Sequence, residues 1–336
     1  MLHLRIIAPA DRAAEVADLL AEEPGVAHLA VLPGAARRPA GDLILCDIVR
    51  ESADQVLRVL QEMGVEARGA ISADDVELTL SGAAERAARA APGHGEDAVV
   101  WEEIAAKTGE QTVLTGTFLA LIVVATMIAG IGVLLDQPIL IVGAMVVGPE
   151  FGPLAALCVA LLRRQPRIIG RSAHALGVGF LAAMVITVLS TWALTAAGLV
   201  DREMLLADRP LTDFIWRPDA LSWVVGLLAG IAGMLSLTSK KSGSLVGVLI
   251  SVTTVPAAAN VAVAAAYGVW HEATGSAVQL VINLTAIVAA GLLTLLTQRW
   301  WWRRLGRRTG TDVPRQRADR PARRLSPSRH PRRDAD

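Results

Sequence analysis

The rhythm of polar and apolar positions changes near residue 110. Before it, short alternating runs are interleaved with helical ones; after it, long apolar stretches dominate. "LHLRIIA" (2–8), "VAHLAVL" (26–32), "DLILCDIV" (42–49) and "DVELTLS" (75–81) read as strands. "DRAAEVADLLAEEPG" opens at Asp11 as a capping residue and stops at Pro24-Gly25, with Ala14, Val16, Leu19 and Leu20 at helical spacing. "SADQVLRVLQEMG" (52–64) is a second helix, with Ser52 as N-cap and Gly64 as C-cap. The order β-α-β-β-α-β over residues 1–81 predicts a small ferredoxin-like α+β domain with both helices on one face of a four-stranded sheet. Residues 82–111 predict a linker containing His94, then an interfacial helix beginning at "WEEIAAKTGEQT".

From residue 112 to 302 the pattern predicts an α-helical polytopic membrane domain. Apolar runs of about 20 residues are long enough to cross a bilayer. Six fall at roughly 113–135, 138–162, 173–198, 220–238, 244–268 and 276–298, by the same length criterion. Arg163, Arg164, Arg167 and Arg171 follow the second span, Lys240 and Lys241 the fourth, and arginines the sixth. The other loops hold Asp136, the net-negative stretch 201–218 and Glu272. Every basic segment lies on the inner side if both termini are cytoplasmic, as the positive-inside rule requires. Trp300, Trp301 and Trp302 then form an interfacial belt.

Composition agrees. The chain is 53% hydrophobic and 19% charged over 336 residues, with a net charge of zero that conceals segregation. Residues 1–110 carry 20 acidic against 10 basic side chains, and residues 299–336 carry 13 arginines against 4 aspartates. The N-terminus has no charged start and apolar run of a signal peptide, so the acidic head is expected in the cytoplasm and the body in a bacterial inner membrane. The Arg/Pro-rich tail, 303–336, is expected to be disordered, with anionic lipid headgroups as partners and no nucleic acid. Cys46 and Cys158 fall in different regions, so no disulfide, metal or cofactor site is expected. Neither a nucleophile–base pair nor a phosphate loop is legible, which argues against an enzyme.

An internal repeat refines the picture. Leu121, Val124, Ala129-Gly130-Ile131 and Leu135 recur 100 residues later as Leu221, Val224, Ala229-Gly230-Ile231 and Leu235. The offset then becomes 104: Val142-Gly143 recurs as Val246-Gly247, Ser172-Ala173 as Ser276-Ala277, and Leu176 as Leu280. Units of three spans imply two inverted repeats, an architecture of secondary transporters that places the site where corresponding spans are interrupted by Gly and Pro. Those segments are "GAMVVGPEFGP" (143–153) and "GVLISVTTVPAAAN" (247–260), and both spans two and five are expected to break. The candidate solute- or ion-binding residues are therefore Gly148, Pro149, Glu150, Gly152, Pro153, Thr253, Thr254, Pro256, Asn260 and Asn283. Glu150 leads because a carboxylate at bilayer depth is costly and usually faces a cavity. The alternative is that it only holds a kink. Gln279 and Asn283 either line the same cavity or lock helices together, and His174 reads as interfacial.

The segments "IAGIGVLLDQPILIVGAMVVGPEFGPLAAL" (128–157) and "GSLVGVLISVTTVPAAANVAVA" (243–264) resemble a bacterial membrane family, the domain-of-unknown-function 389 or uncharacterised hydrophobic-domain family. The resemblance covers about residues 98–300 and implies a membrane fold but no substrate. Many members carry an apolar residue where Glu150 stands and a second proline where this chain has Ala257. Two functions follow from the residues: a transporter or channel-like protein modulated by its head, or a membrane-anchored sensor whose head binds a metabolite. Gly226 and Gly230 suit close helix packing or self-association in either case.

Overall fold

The structure, a computed structural model, describes residues 1–76, 78–90, 101–110, 112–217, 219–239 and 246–308. The head runs β1 (Leu2–Ala8), α1 (Ala13–Glu22), β2 (Val26–Arg37), β3 (Ala40–Ile48), α2 (Arg50–Glu62), α3 (Val65–Arg68) and β4 (Ala70–Asp75). Its sheet order is β2-β3-β1-β4, every neighbouring pair antiparallel, the order a ferredoxin-like domain requires. Alternation decides the buried face. Leu2, Leu4, Ile6 and Ala8 of β1 join Ile44, Cys46 and Ile48 of β3 in one core. That core is closed by Val16 and Leu20 of α1 and by Ala53, Val56, Leu57 and Leu60 of α2.

Three local expectations need correction. The fourth strand lies at Ala70–Asp75, not 75–81. Its register sets Ile71 opposite Ile6 and Asp75 opposite Leu2, so β1 is exhausted before Leu78 and Leu80, which stay exposed. Neither expected cap operates. Helix α1 starts after Arg12 while Asp11 pairs with Arg68 at 2.9 Å, and α2 starts after Val49 with Ser52 inside its first turn. Gly64 does end α2, with φ +70 and its N–H donated to the Gln61 carbonyl. Finally, the first part of the expected linker is a helix, α4 (Gly82–Ala90). Ala84 and Ala87 are buried, and Ala87 packs on Ala27 of β2 and on Val49, the residue that precedes α2. His94 and the rest of 91–100 lie outside the described residues, as do Lys240, Lys241 and the tail from 309 onward.

The body follows as α5 (Trp101–Glu110), α6 (Gly116–Leu134), α7 (Pro138–Val147), α8 (Phe151–Arg163), α9 (Pro166–Ala196), α10 (Arg202–Leu206), α11 (Ala220–Thr238), α12 (Val246–Ala266) and α13 (Trp270–Arg308). Among the described residues, Gly116–Leu134, Pro166–Ala196, Ala220–Thr238 and Trp270–Trp301 are long and apolar enough to cross a membrane. The pair α7–α8, bent by 56°, makes a fifth if it counts as one span, and Thr254–Ala266 of α12 is a shorter apolar helix. The molecule is thus mostly helical, with four to five candidate spans behind a small antiparallel sheet. Helices start where the sequence allows it. Pro138 and Pro166 occupy first-turn positions where no N–H is needed, and Thr115 accepts the Phe118 N–H at 3.1 Å. Gly226 and Gly230 press α11 against α13 of the same chain. A Cβ at Gly230 would stand 2.6 Å from the Ile287 carbonyl oxygen, and one at Gly226 would stand 2.8 Å from the Ala286 Cβ. These glycines therefore serve packing within the chain.

Candidate functional site: a broken helix and a buried carboxylate

Helix α7 ends because Gly148 precedes a proline. The clash between a proline ring and the preceding residue disfavours the helical conformation there, and Gly148 is extended at φ −63, ψ 124. Glu150 then opens α8, its carbonyl accepting the Leu154 N–H at 3.2 Å. Pro153 lies in the first turn of α8, where its missing N–H leaves no bond unmade. Thus Gly148 and Pro149 make the break, while Gly152 and Pro153 belong to the helix that follows.

The second expected break is absent: among the described residues α12 runs through Pro256 without interruption. One proline removes one backbone bond, and a membrane helix tolerates that when neighbours re-satisfy the freed carbonyl. Span two carries Gly and Pro together at its break, and span five has only a lone proline after Val255.

The break brings two of the candidate residues together. Glu150 is fully buried, and its Oε1 accepts a hydrogen bond from Thr254 Oγ1 at 3.0 Å, across an offset of 104 residues. Next to it in the chain, Phe151 and Leu154 of α8 belong to a core cluster that also holds Ala257 and Ala258 of α12 and Leu280 and Ile287 of α13. A Cβ at Gly148 would stand 2.4 Å from Glu150 Oε2 and 3.1 Å from Val255 Cγ2, so glycine leaves the room the carboxylate occupies. The side chain of Thr253 lies outside the described residues.

The remaining candidates lie along the α12–α13 hairpin. Asn260 Nδ2 donates to Ser276 Oγ at 2.8 Å, and Gln279 Nε2 donates to Asn283 Oδ1 at 3.4 Å, all four residues being buried. Ser276, Gln279 and Asn283 share one face of α13 with Glu272. Glu272 itself holds Arg209 Nη2 at 2.7 Å in a buried ion pair, which the sequence reading missed. The two charges sit 63 positions apart in loops judged only by their net sign, so no local pattern could join them. His174 is exposed on α9.

A polar cluster in the head was also illegible. Asp47 binds His3 Nδ1 through Oδ1 at 2.8 Å and His28 Nδ1 through Oδ2 at 2.6 Å. His28 Nε2 meets Ser81 Oγ at 2.7 Å. Burial alone would raise the Asp47 carboxyl, but the hydrogen bonds from His28 and His3 outweigh it and hold the group below the usual carboxylate range. Ser81 Oγ also accepts the Ala83 N–H at 3.2 Å, so the cluster ties the start of α4 to the sheet. Cys46 nearby is no nucleophile: burial pushes its thiol up to about 12.

The match to known proteins falls on this region. The family described as "Domain of unknown function (DUF389)" matches residues 145–289, from the end of α7 to the middle of α13. An uncharacterised protein of Methanocaldococcus jannaschii is 24% identical over 186 residues, covering 54% of this chain and 55% of the relative. The chain thus spans about half the length of that relative. No solved structure matches. The resemblance carried by the glycine–proline segments is therefore borne out: over residues 145–289, which hold the broken helix and the Thr254 helix, this chain matches the DUF389 family.

Proposed function

We propose that this protein is a six-span transporter or channel-like protein of a bacterial inner membrane, with both termini in the cytoplasm and a solute or ion site where the α7–α8 break meets α12. The carrying observation is the fully buried Glu150 at a helix break, hydrogen-bonded to Thr254. An anchor has no need of a carboxylate and an interrupted helix at one depth, whereas transporters build sites for polar solutes from such features. The 104-residue spacing of the pair equals the spacing of the sequence repeat, which supports two inverted units meeting at this point.

A sensor reading keeps one supporting contact. Ile104 of α5, the helix that leads out of the head, packs on Ala155, Cys158 and Val159 of α8, and Arg163 pairs with Glu102. In the transport reading the same contact lets the head bias the helix that carries Glu150.

Two measurements test this. Single cysteines at Val200 and Thr274 should be labelled by an impermeant thiol reagent from the periplasm, and one at Ser242 only after the membrane is opened. Periplasmic labelling of Ser242 rules out the six-span arrangement. Purified protein in proteoliposomes should raise the flux of a small ion or polar solute at least tenfold above protein-free vesicles. A flat response across alkali cations, halides, amino acids and small carboxylates leaves the anchor reading in place.

A further inference from the structure

We propose that the α12–α13 hairpin holds a binding site for a dehydrated monovalent cation, formed by the amide oxygens of Asn260 and Gln279, about two helical turns outward of Glu150. The inference rests on the membrane reading above and names the chemistry of what enters the site.

The depth follows from helix geometry. Helix α13 begins at Trp270 and passes Trp300 some 30 residues later, which at 1.5 Å per residue is about 45 Å, the full thickness of a bilayer with its headgroups. Asn283 then sits near mid-depth, and Thr254 is level with it, because Asn260 pairs with Ser276 and both partners are six or seven residues shallower. The Asn260–Ser276 level is therefore on the order of 10 Å toward the outer end from Glu150.

The chemistry follows from which atoms are used. Both amide nitrogens are engaged, Asn260 Nδ2 on Ser276 and Gln279 Nε2 on Asn283. Asn260 Oδ1 and Gln279 Oε1 are buried and have no hydrogen-bond partner among the described residues. The residues carrying them are 0% and 6% exposed, so bulk water does not serve these oxygens. A buried carbonyl oxygen left unmet is costly, and two within one hairpin, with the donors of the same amides occupied, present only negative ends of dipoles. Neutral amide oxygens replace the hydration shell of a singly charged ion, as rings of carbonyls do in channel filters. They lack the charge to dehydrate a divalent ion, and the described residues contain no group of three His, Cys, Asp or Glu able to hold one.

The repeat shows that packing does not require this polarity. Positions 104 earlier than Asn260, Gln279 and Asn283 are Ala156, Ala175 and Gly179. The first unit fills the same seats with small apolar residues, and only Ser276 keeps its counterpart, Ser172. The amides are thus an addition to one unit, on the side of the hairpin where Arg209 pairs with Glu272.

The test uses the purified full-length protein. Its thermal unfolding is followed in NaCl, KCl and LiCl against N-methyl-D-glucamine chloride at matched ionic strength, with sodium and potassium gluconate as anion controls. The expected result is a saturable rise in Tm with at least one alkali cation, the same with chloride or gluconate. Asn260→Leu and Gln279→Met, which keep side-chain size, should each weaken that response at least tenfold. Equal Tm in all cations, a rise that follows chloride, or unchanged half-saturation in both variants overturns the site. The wild-type salt series decides even if a variant fails to fold. Cation binding without flux removes transport and keeps the site; flux without any cation response does the reverse.

Discussion

Replacing Arg209 by methionine lowers the stability of the folded protein by on the order of 3–5 kcal/mol, the usual cost of leaving one partner of a buried ion pair uncompensated. Arg209 and Glu272 are 3% and 8% exposed at their side chains, so water cannot take over the role of the lost partner. The pair also joins separate pieces of chain: Arg209 follows α10, and Glu272 stands in the first turn of α13. Arg209 Nε and Nη1 have no partner among the described residues, so the guanidinium is incompletely compensated even in the intact pair. That fact sets the outcome of the double change. Arg209→Met with Glu272→Leu removes both charges and should recover most of the loss, because well-packed apolar residues often equal or exceed a buried pair. Denaturant or thermal unfolding of the four proteins of the cycle measures this. A single variant within about 0.5 kcal/mol of the parent, the range of ordinary surface substitutions, would mean the pair does not hold these segments together.

This pair marks where sequence reading stopped. The head was legible because its signals are local: the alternation in "LHLRIIA" and the spacing of Val16 and Leu20 each report which face is buried. Helix starts were less legible, since Asp11 and Ser52 have the right chemistry for caps but tertiary contacts claim them. Asp11 goes to Arg68, and Ser52 lies in the α2 turn that packs on Gly25. In the body, the glycine–proline run announced the break at Gly148, but the lone Pro256 announced one that α12 does not make. Glu150 and the Thr253-Thr254 pair could be singled out together from sequence because a repeat supplied a long-range link that periodicity lacks, and the structure joins Thr254 to Glu150. Arg209 with Glu272, and His28 with Asp47 and Ser81, had no such link, and only the folded chain brings them together.

Glu150→Gln should leave the protein folded and inserted while abolishing the pH dependence of flux, or lowering flux at least tenfold, about 1.4 kcal/mol in the relevant free energy. The glutamine has the shape of the glutamic acid and its carbonyl oxygen can still accept from Thr254 Oγ1, so the contact that fixes the break is retained. What disappears is a group able to carry a negative charge and exchange a proton at a depth where water is scarce. Full burial means a charge there is tolerated only while something compensates it, so on the transport reading proposed above the arrival of a cation would be coupled to proton release at this residue. Thr254→Val separates this from support of the helix, because it removes the donor to Oε1 at nearly constant volume and should shift the pH profile without erasing it. Gly148→Ala provides an independent perturbation, since its Cβ would displace the carboxylate from 2.4 Å away without touching its chemistry. The readout is flux in proteoliposomes between about pH 5 and 8, where soluble proteins are commonly most stable, alongside Tm for each variant. If Glu150→Gln matches the parent in rate and in pH profile, Glu150 is a scaffold for the α7–α8 bend. The transport pathway would then have to be sought along the Asn260–Gln279 level of the α12–α13 hairpin.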